Sequence, residues 1–192
     1  MHRTGARGLY PIVEGHVTSV NVSAVHNFSK VPVLEARLLT RLGVEGDAHC
    51  GTTVRHRYDR RRDPSRPNLR QVHLIATELL DELGRHGHAL HPGDLGENVT
   101  TTGVDLLDLP TGAVLRLGDQ AEVRLTGLRT PCSLIDAFRA GLSRQMWAVD
   151  GQGRRSRRAG VMGVVDRGGV VRPDDPLRVV LPPEPHVALH PV

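Results

Sequence analysis

The run AVLRLGDQAEVRLT at residues 113–126 consists of two apolar-rich halves joined by a Gly-Asp turn. Two such halves around a turn of this type predict a β-hairpin. The second half leads into RTPC at residues 129–132, and a helix-like run follows. The hairpin therefore places Cys132, one of only two cysteines in the chain, at the end of a predicted strand.

Other short segments rich in valine, leucine and isoleucine lie on both sides of this hairpin, and Gly, Pro, Asp and Asn separate them. They predict strands within residues 15–23, 31–39, 72–75, 160–165, 169–171 and 177–181. Helices are predicted at 77–84, with Thr77 as its cap, and at 136–142. Many short strands and few helices predict a mainly β fold with a few short helices, and specifically a β-barrel.

The length of 192 residues fits one domain with extensions. We predict an N-terminal extension at 1–10, the domain at 11–182 and a loosely packed, proline-rich tail at 183–192. Two cysteines do not make a disulfide framework. There is no apolar run long enough for a bilayer and no signal-peptide core, so we expect a cytoplasmic protein with free thiols and no membrane partner.

The net charge of +4 comes from arginine almost throughout, because Lys30 is the only lysine. Arginines cluster at residues 55–70 and 154–158. An aromatic content of 3% argues against stacking platforms for nucleic acid, and a small anionic ligand explains local arginines equally well. We expect a surface loop at 58–68. We expect both 58–68 and 154–158 to be exposed and dispensable for folding, and we expect 154–158 to fold over the site as a lid.

Three loops concentrate reactive side chains. The first holds Asp47, His49 and Cys50, the second Glu97 and Asn98, and the third Arg129 and Cys132. A thiolate is the reactive form of cysteine, and a neighbouring cation favours it. The opposing interpretation is that Cys132 is a small buried apolar residue, as free cysteines often are.

Two other site chemistries compete with this one. Side chains of the types that bind zinc are Asp47, His49, Cys50, His56 and Cys132. Their spacing matches no paired zinc-binding motif. A serine hydrolase is not favoured, because no Gly-x-Ser-x-Gly sequence occurs.

Taken in order along the chain, these residues resemble the MOSC family, named for the C-terminal domain of molybdenum-cofactor sulfurases. The resemblance is closest to small stand-alone bacterial members. The matching segments are SVNVS (19–23), KVPV (30–33), GVEGDAH (43–49), RQV (70–72), GDLGEN (93–98), residues 112–118 and PC (131–132).

The resemblance implies a β-barrel-rich fold that binds a molybdenum cofactor of the molybdopterin type. It implies that Cys132 ligates molybdenum or carries sulfur, and thiolates are good ligands for soft metal centres. Lys30, Arg70 and Arg129 are sensible partners for an anionic cofactor. The remaining cofactor-binding candidates are Asp47, His49, Glu97 and Asn98.

The larger sulfurases also contain a pyridoxal-phosphate domain, which needs a Schiff-base lysine. Because Lys30 belongs to the MOSC pattern, we expect no pyridoxal phosphate on this chain. One interpretation is an oxidoreductase that reduces an N-oxygenated small molecule with electrons from a separate protein. The alternative is a carrier or sulfur-transfer module that receives or supplies cofactor. Nothing in the residues separates the two, and the frequency of two-fold symmetric assemblies favours a homodimer.

Overall fold

The computed structural model describes residues 14–55, 57–149 and 151–192. The predicted extension at 1–10 and the zinc candidate His56 lie outside these residues. The strands are β1 (Glu14–Val22), β2 (Val31–Val33), β3 (Ala36–Leu39), β4 (Gly43–Val44), β5 (Val72–Ala76), β6 (Val99–Thr102), β7 (Val114–Leu117), β8 (Ala121–Leu128), β9 (Trp147–Val149), β10 (Arg155–Arg157), β11 (Val161–Arg167), β12 (Gly169–Val171) and β13 (Pro176–Val180). The helices are α1 (Arg57–Arg62), α2 (Thr77–Arg85), α3 (Leu134–Phe138) and α4 (Leu142–Gln145).

Seven of these strands close into a barrel in the order β13-β7-β8-β11-β5-β6-β1, and β1 pairs with β13 to complete the ring. Neighbours in the ring are antiparallel except β5 and β6, which run parallel with Leu74 beside Val99. Strand β2 adds to the end of β1 outside the ring. The prediction of a mainly β, barrel-forming fold with a few short helices is confirmed.

The predicted hairpin is the β7–β8 pair, in which Leu117 lies beside Ala121. Gly118 has a φ of 59°, and a Cβ there would lie 2.7 Å from the carboxylate of Asp175, so the turn requires glycine. Side chains alternate along β8, with Val123 buried and Arg124 exposed. The side chains on one face of β8 therefore fill the barrel interior, and those on the other face point towards solvent.

Aliphatic side chains fill two apolar clusters. The barrel interior holds the large buried residues Leu38, Leu74, Leu106, Leu115, Leu117 and Leu125. The second cluster joins α2 to β5, α3 and α4 through Ile75, Leu79, Leu83, Ile135, Leu142 and Met146. This second cluster anchors α3, which begins two residues after Cys132.

The prediction of one strand at residues 31–39 is wrong, because the chain changes sheets within it. Strand β2 pairs with β1, whereas β3 pairs with β4 and β12 in a separate sheet. Leu34 and Glu35 between them are exposed. Pro32 has no N–H to donate, which suits a short edge strand and not a long central one.

The predicted helix at 77–84 is confirmed as α2, but Thr77 is not its cap. Ala76 occupies the cap position without a side-chain hydrogen bond, and the Thr77 hydroxyl lies 2.9 Å from that of Thr18. The predicted helix at 136–142 is divided into α3 and α4 by Gly141, whose φ is 81°. Within the described residues, no helix has the length and apolarity needed to cross a membrane.

Two segments that were predicted to be irregular are more structured. The loop expected at 58–68 contains most of α1, and Asn68 at its end is buried while residues 60–67 are exposed. The tail predicted to be loose is fastened to the barrel. Leu189 is 7% exposed, and Leu128 N–H donates to His190 O at 2.8 Å.

Candidate functional site

Loops at one end of the barrel enclose a cavity of about 570 Å³. They are the loops after β1 and β4, the segments before β5 and β6, and the segment after β8. The predicted site residues on the cavity wall are Lys30, His49, Arg70, Asn98, Arg129 and Cys132. Asp47 and Glu97 lie directly behind this wall, so the structure brings the predicted residues together.

The Asp47 carboxylate joins the loops on one side of the cavity. Its Oδ2 accepts hydrogen bonds from Lys30 Nζ, from Asn98 Nδ2 at 3.0 Å and from Ser23 N–H at 3.3 Å. Its Oδ1 accepts the backbone N–H of His49 at 2.9 Å and lies 3.2 Å from His49 Nδ1. Because all of these partners donate to Asp47, it acts as the anionic centre of the network.

Burial and pairing set the charge state of the Lys30–Asp47 pair. Burial lowers the pKa of Lys30, and the Asp47 charge opposes that effect. Burial by itself would raise the pKa of Asp47, but the hydrogen bonds from His49 and the Lys30 charge hold it well below its usual range. Asp47 is therefore a carboxylate at neutral pH, and it holds Lys30 at the cavity wall.

Gly93 and Gly96 let the segment before β6 pack closely on the loop after β1. Their φ angles are 91° and 80°. A Cβ at Gly93 would lie 2.5 Å from Lys30 O, and one at Gly96 would lie 2.4 Å from Phe28 O. Lys30 N–H donates to Gly93 O at 2.8 Å. The glycines thus position the Lys30 and Phe28 side chains that line the cavity.

Two buried amides tie the remaining loops together. Asn98 Oδ1 accepts the His73 N–H at 3.2 Å, and Asn98 Nδ2 also approaches Asn21 O at 3.3 Å. Asn68 Nδ2 donates to His49 O at 2.9 Å and to Gly51 O at 3.0 Å. Such satisfied buried amides fix loop geometry that the backbone alone does not determine.

Glu97 is fully buried behind the cavity. Its Oε1 accepts the Gly93 N–H at 2.6 Å and the Thr100 hydroxyl at 3.2 Å, whereas its Oε2 has no hydrogen-bond partner among the described residues. Burial raises the pKa of Glu97. It braces the Gly93 loop and takes up a proton more readily than an exposed glutamate would.

Arg129 follows β8 and is held by its N–H, which donates to Gly160 O at 3.0 Å. Its Nη1 is buried without a hydrogen-bond partner in the part of the chain that the structure describes. Burial lowers the pKa of Arg129, charge at Cys132 and Glu97 opposes this, and Arg70 adds to it. Arg129 is half-buried, and a guanidinium with a buried, unused donor is suited to an anionic ligand.

Cys132 is half-buried on the cavity wall, and its carbonyl accepts the Ile135 N–H at 3.1 Å in the first turn of α3. Cys50 is also half-buried, but it is not among the described cavity-lining residues. Burial raises the pKa of Cys50, and the nearby Asp47 charge adds to the effect. Of the two thiols, Cys132 is the one placed to meet a ligand.

His73 is a cavity residue that was not predicted from the sequence. It lies on β5, and its Nε2 is 2.8 Å from Ala159 O. Burial lowers the pKa of His73 well below 6.5, with a contribution from Arg129, so its ring is neutral. A histidine inside the otherwise apolar run VHLI was the available signal. Phe28, which packs on Phe138 with ring centroids 5.3 Å apart, had no comparable signal.

The arginine cluster nearest the cavity is not the predicted one. Arg55, Arg61, Arg66 and Arg70 line the cavity, and no residue of 154–158 is among its described lining residues. The prediction that residues 154–158 fold over the site as a lid is therefore wrong.

Residues 154–158 pack on neighbouring elements instead. The guanidinium groups of Arg155 and Arg157 lie 4.5 and 5.1 Å from the ring centre of Trp147. Arg158 forms a two-point ion pair with Glu82 of α2, and its Nη1 donates at 2.8 Å. Arg157 and Arg158 are half-buried, so the cluster is less exposed than predicted.

Zinc finds no support in the described residues, since they contain no group of three or more His, Cys, Asp or Glu side chains suited to hold a metal ion. Both oxygens of Asp47 already accept hydrogen bonds from the protein. A metal at this site would therefore need most of its ligands from elsewhere.

Comparisons with known proteins identify a sequence family and, separately, proteins that share the fold. The sequence profile described as the MOSC domain matches residues 47–178. The structure resembles that of the YuaD protein from Bacillus subtilis, with a TM-score of 0.71, 19% identity, and coverage of 89% of this chain and 98% of that one.

Two YiiM structures are also similar. The match to YiiM from Escherichia coli has a TM-score of 0.60 and 21% identity, and it covers 91% of this chain and 73% of that one. The match to YiiM from Geobacillus stearothermophilus has a TM-score of 0.61 and 20% identity, and it covers 93% and 80%. No curated protein matches the sequence.

Proposed function

The chain belongs to the MOSC domain family, and we propose that its cavity binds a molybdenum cofactor of the molybdopterin type through Cys132. Cys132 serves as the molybdenum ligand or as a sulfur carrier. The observation that carries this proposal is the half-buried Cys132 thiol on a cavity that Lys30, Arg70 and Arg129 also line. Together these residues offer one soft metal ligand beside several cations.

The residues of the cavity fit such a group on three physical grounds. The Arg129 Nη1 donor is buried and unused among the described residues, so an anion there would satisfy it. The cations on the wall match a phosphate and an oxo-metal centre. A single thiolate suits a metal whose other ligands come from the cofactor itself.

The roles of this chain's own residues follow from their placement. Lys30 and Arg129 would bind the negatively charged groups of the cofactor. Asp47 orients Lys30, and Asn98 in turn donates to Asp47. Glu97 keeps the Gly93 loop in place. When bound, the cofactor would supply two-electron oxygen-atom transfer, which is the chemistry needed to reduce an N-oxygenated compound.

We favour an enzyme over a carrier because the cavity has an apolar wall as well as a basic one. Phe28, Leu69, Leu134 and Met162 line it. An apolar wall beside polar groups is typical of sites for small organic molecules. The electrons come from a separate protein.

Molybdenum content tests the binding proposal. The protein is produced in a host that synthesises the cofactor, and the metal is quantified in wild type, Cys132→Ala and Cys50→Ala. We expect molybdenum in wild type and Cys50→Ala and little or none in Cys132→Ala. Equal retention in Cys132→Ala would contradict the role of Cys132.

Turnover then separates the enzyme from the carrier. The loaded protein is mixed with phenylhydroxylamine and reduced methyl viologen, and formation of the amine is followed. Amine formation that depends on Cys132 supports the oxidoreductase. A loaded protein that never forms amine but passes its cofactor or sulfur to a second molybdoenzyme supports the carrier.

A further inference from the structure

His49 lines the cavity, and its Nδ1 lies 3.2 Å from the buried carboxylate of Asp47. We propose that His49 is the proton donor to the substrate oxygen, with Asp47 as its orienting base. This inference rests on the proposed function. It assigns to His49 a catalytic role in place of the cofactor-binding role that the sequence predicted.

Reduction of an N-hydroxylated compound consumes protons at a defined atom. The balance is R–NH–OH + 2e⁻ + 2H⁺ → R–NH₂ + H₂O, in which the N–O bond breaks and the oxygen leaves as water. When bound and reduced, the cofactor would supply both electrons, and a separate electron-transfer protein would restore them. A positioned acid that protonates the departing oxygen accelerates such a cleavage by about 10²–10⁴-fold.

The geometry of Asp47 fixes which nitrogen of His49 is available. Asp47 Oδ2 is engaged by Lys30, Asn98 and Ser23, which leaves Oδ1 directed at the His49 backbone N–H and Nδ1. Because Asp47 is a carboxylate, Nδ1 carries a proton and donates it to Oδ1. The ring nitrogen that Asp47 does not engage is Nε2, on a ring that lines the cavity.

The surroundings of His49 leave its side chain in contact with solvent and hold its ring in place. Its side chain is 29% exposed, so protons can be replenished from solvent. The His26 ring meets the His49 ring edge-on with centroids 5.0 Å apart, and Asn68 holds the His49 carbonyl. Asp47 contacts it directly, and Lys30, His26, Arg55 and Arg70 are charged or titratable described residues that line the same cavity. Cys50 is the next residue in the chain.

Another histidine of the cavity wall, His73, is less suited to this task. It is buried, its Nε2 is engaged with Ala159 O, and burial holds its pKa well below 6.5, so its ring is neutral at neutral pH. His73 is therefore a structural member of the wall. His49, by contrast, has a carboxylate at Nδ1, and its Nε2 makes no hydrogen bond to the described residues.

The test uses His49→Gln and, as a matched control, His91→Gln. His91 also lies beside a carboxylate, with Nδ1 3.6 Å from Asp94 Oδ2, but it is 87% exposed and is not among the described cavity residues. We expect both variants to retain the molybdenum content of wild type. We expect the kcat for phenylhydroxylamine to fall by about 10²–10⁴-fold in His49→Gln and to stay unchanged in His91→Gln.

The tautomer of His49 gives a readout that is independent of turnover. In the cofactor-free protein, ¹⁵N NMR at neutral pH should show His49 as the Nδ1–H tautomer.

Each remaining outcome overturns the proposal. An Nε2–H tautomer removes its structural basis. A kcat for His49→Gln within about threefold of wild type is far short of the expected loss and would show that the acid is another group. That result would leave the proposed function intact. A wild-type protein that holds no molybdenum, or that holds it and never forms amine, would reject the reductase function and this inference together.

Discussion

At the scale of single residues, Arg129 keeps one guanidinium donor that the described part of the protein does not satisfy. Its Nη1 is buried and has no hydrogen-bond partner among the described residues, and burial lowers the pKa of Arg129. Buried charges that lack full compensation reduce stability, and sites that bind ligands often retain them. We interpret Arg129 as a residue kept for an anionic ligand.

Arg129→Met should therefore separate stability from binding. Without ligand, the variant should unfold at a free energy within about 1 kcal/mol of wild type, or higher, because the lost charge was costly to bury. Its molybdenum content should fall strongly. Urea unfolding and elemental analysis measure the two effects, and a strongly destabilised variant that still retains molybdenum would show that Arg129 is structural instead.

Asp47 gives the fold a specific sensitivity to acid. The pKa of Asp47 is lower in the folded protein than in the unfolded chain. Its stabilising contribution is therefore complete above the unfolded-state pKa of about 3.9 and is lost as pH falls below it. A single carboxylate of this kind contributes on the order of 2–3 kcal/mol.

Asp47→Asn should be less stable than wild type at pH 7 by about 3–5 kcal/mol, because Lys30 loses its buried partner. Between pH 5 and pH 3, however, the variant should lose less stability than wild type does. The free energy of unfolding at several pH values measures this difference. Parallel pH curves for the two proteins would contradict the ion-pair account.

At the scale of structural elements, the C-terminal segment acts as part of the barrel wall. Leu128 exchanges backbone hydrogen bonds with His190 and Val192 at 2.8 and 3.3 Å, and Val192 lines the cavity. This packing depends on Gly127, where a Cβ would lie 2.2 Å from His190 O and 2.5 Å from Val192 Cγ1. The C-terminal segment can therefore reach the cavity only because Gly127 has no side chain to displace it.

Gly127→Ala should displace this segment and destabilise the protein by about 1–3 kcal/mol. Gly84→Ala is the matched control, since Gly84 is exposed within α2 and a Cβ there meets nothing within 4 Å. That variant should gain about 0.5–1 kcal/mol from the better helix propensity of alanine. Urea unfolding measures the free energy of unfolding of both variants. A Gly127→Ala protein as stable as wild type would show that packing of the C-terminal segment on the barrel does not depend on Gly127.

At the scale of the whole molecule, the sequence predicted elements whose signals are local. Alternation and turn residues in 113–126 were sufficient for the β7–β8 hairpin, and helical periodicity was sufficient for α2. The split of 31–39 into β2 and β3 was not predictable, because apolar residues occupy both strands and only the three-dimensional pairing assigns them to different sheets.

The site shows the same division. Cys132 and the glycine-flanked loops were visible as unusual local sequence, and they meet at one cavity. His73 and the 55–70 arginines were assigned to a strand and a surface loop, because burial and proximity depend on how the barrel closes. Arg158 was misjudged for the same reason, since its partner Glu82 is distant in sequence.

X-ray absorption at the molybdenum edge tests the central claim most directly, because it counts the sulfur atoms bound to the metal. We predict that the loaded wild-type protein and Cys50→Ala show the sulfur atoms of the cofactor plus one from Cys132. Cys132→Ser, where it retains any metal, should show one sulfur fewer. An identical sulfur count in wild type and Cys132→Ser would contradict ligation by Cys132, and a wild-type protein without molybdenum would contradict cofactor binding altogether.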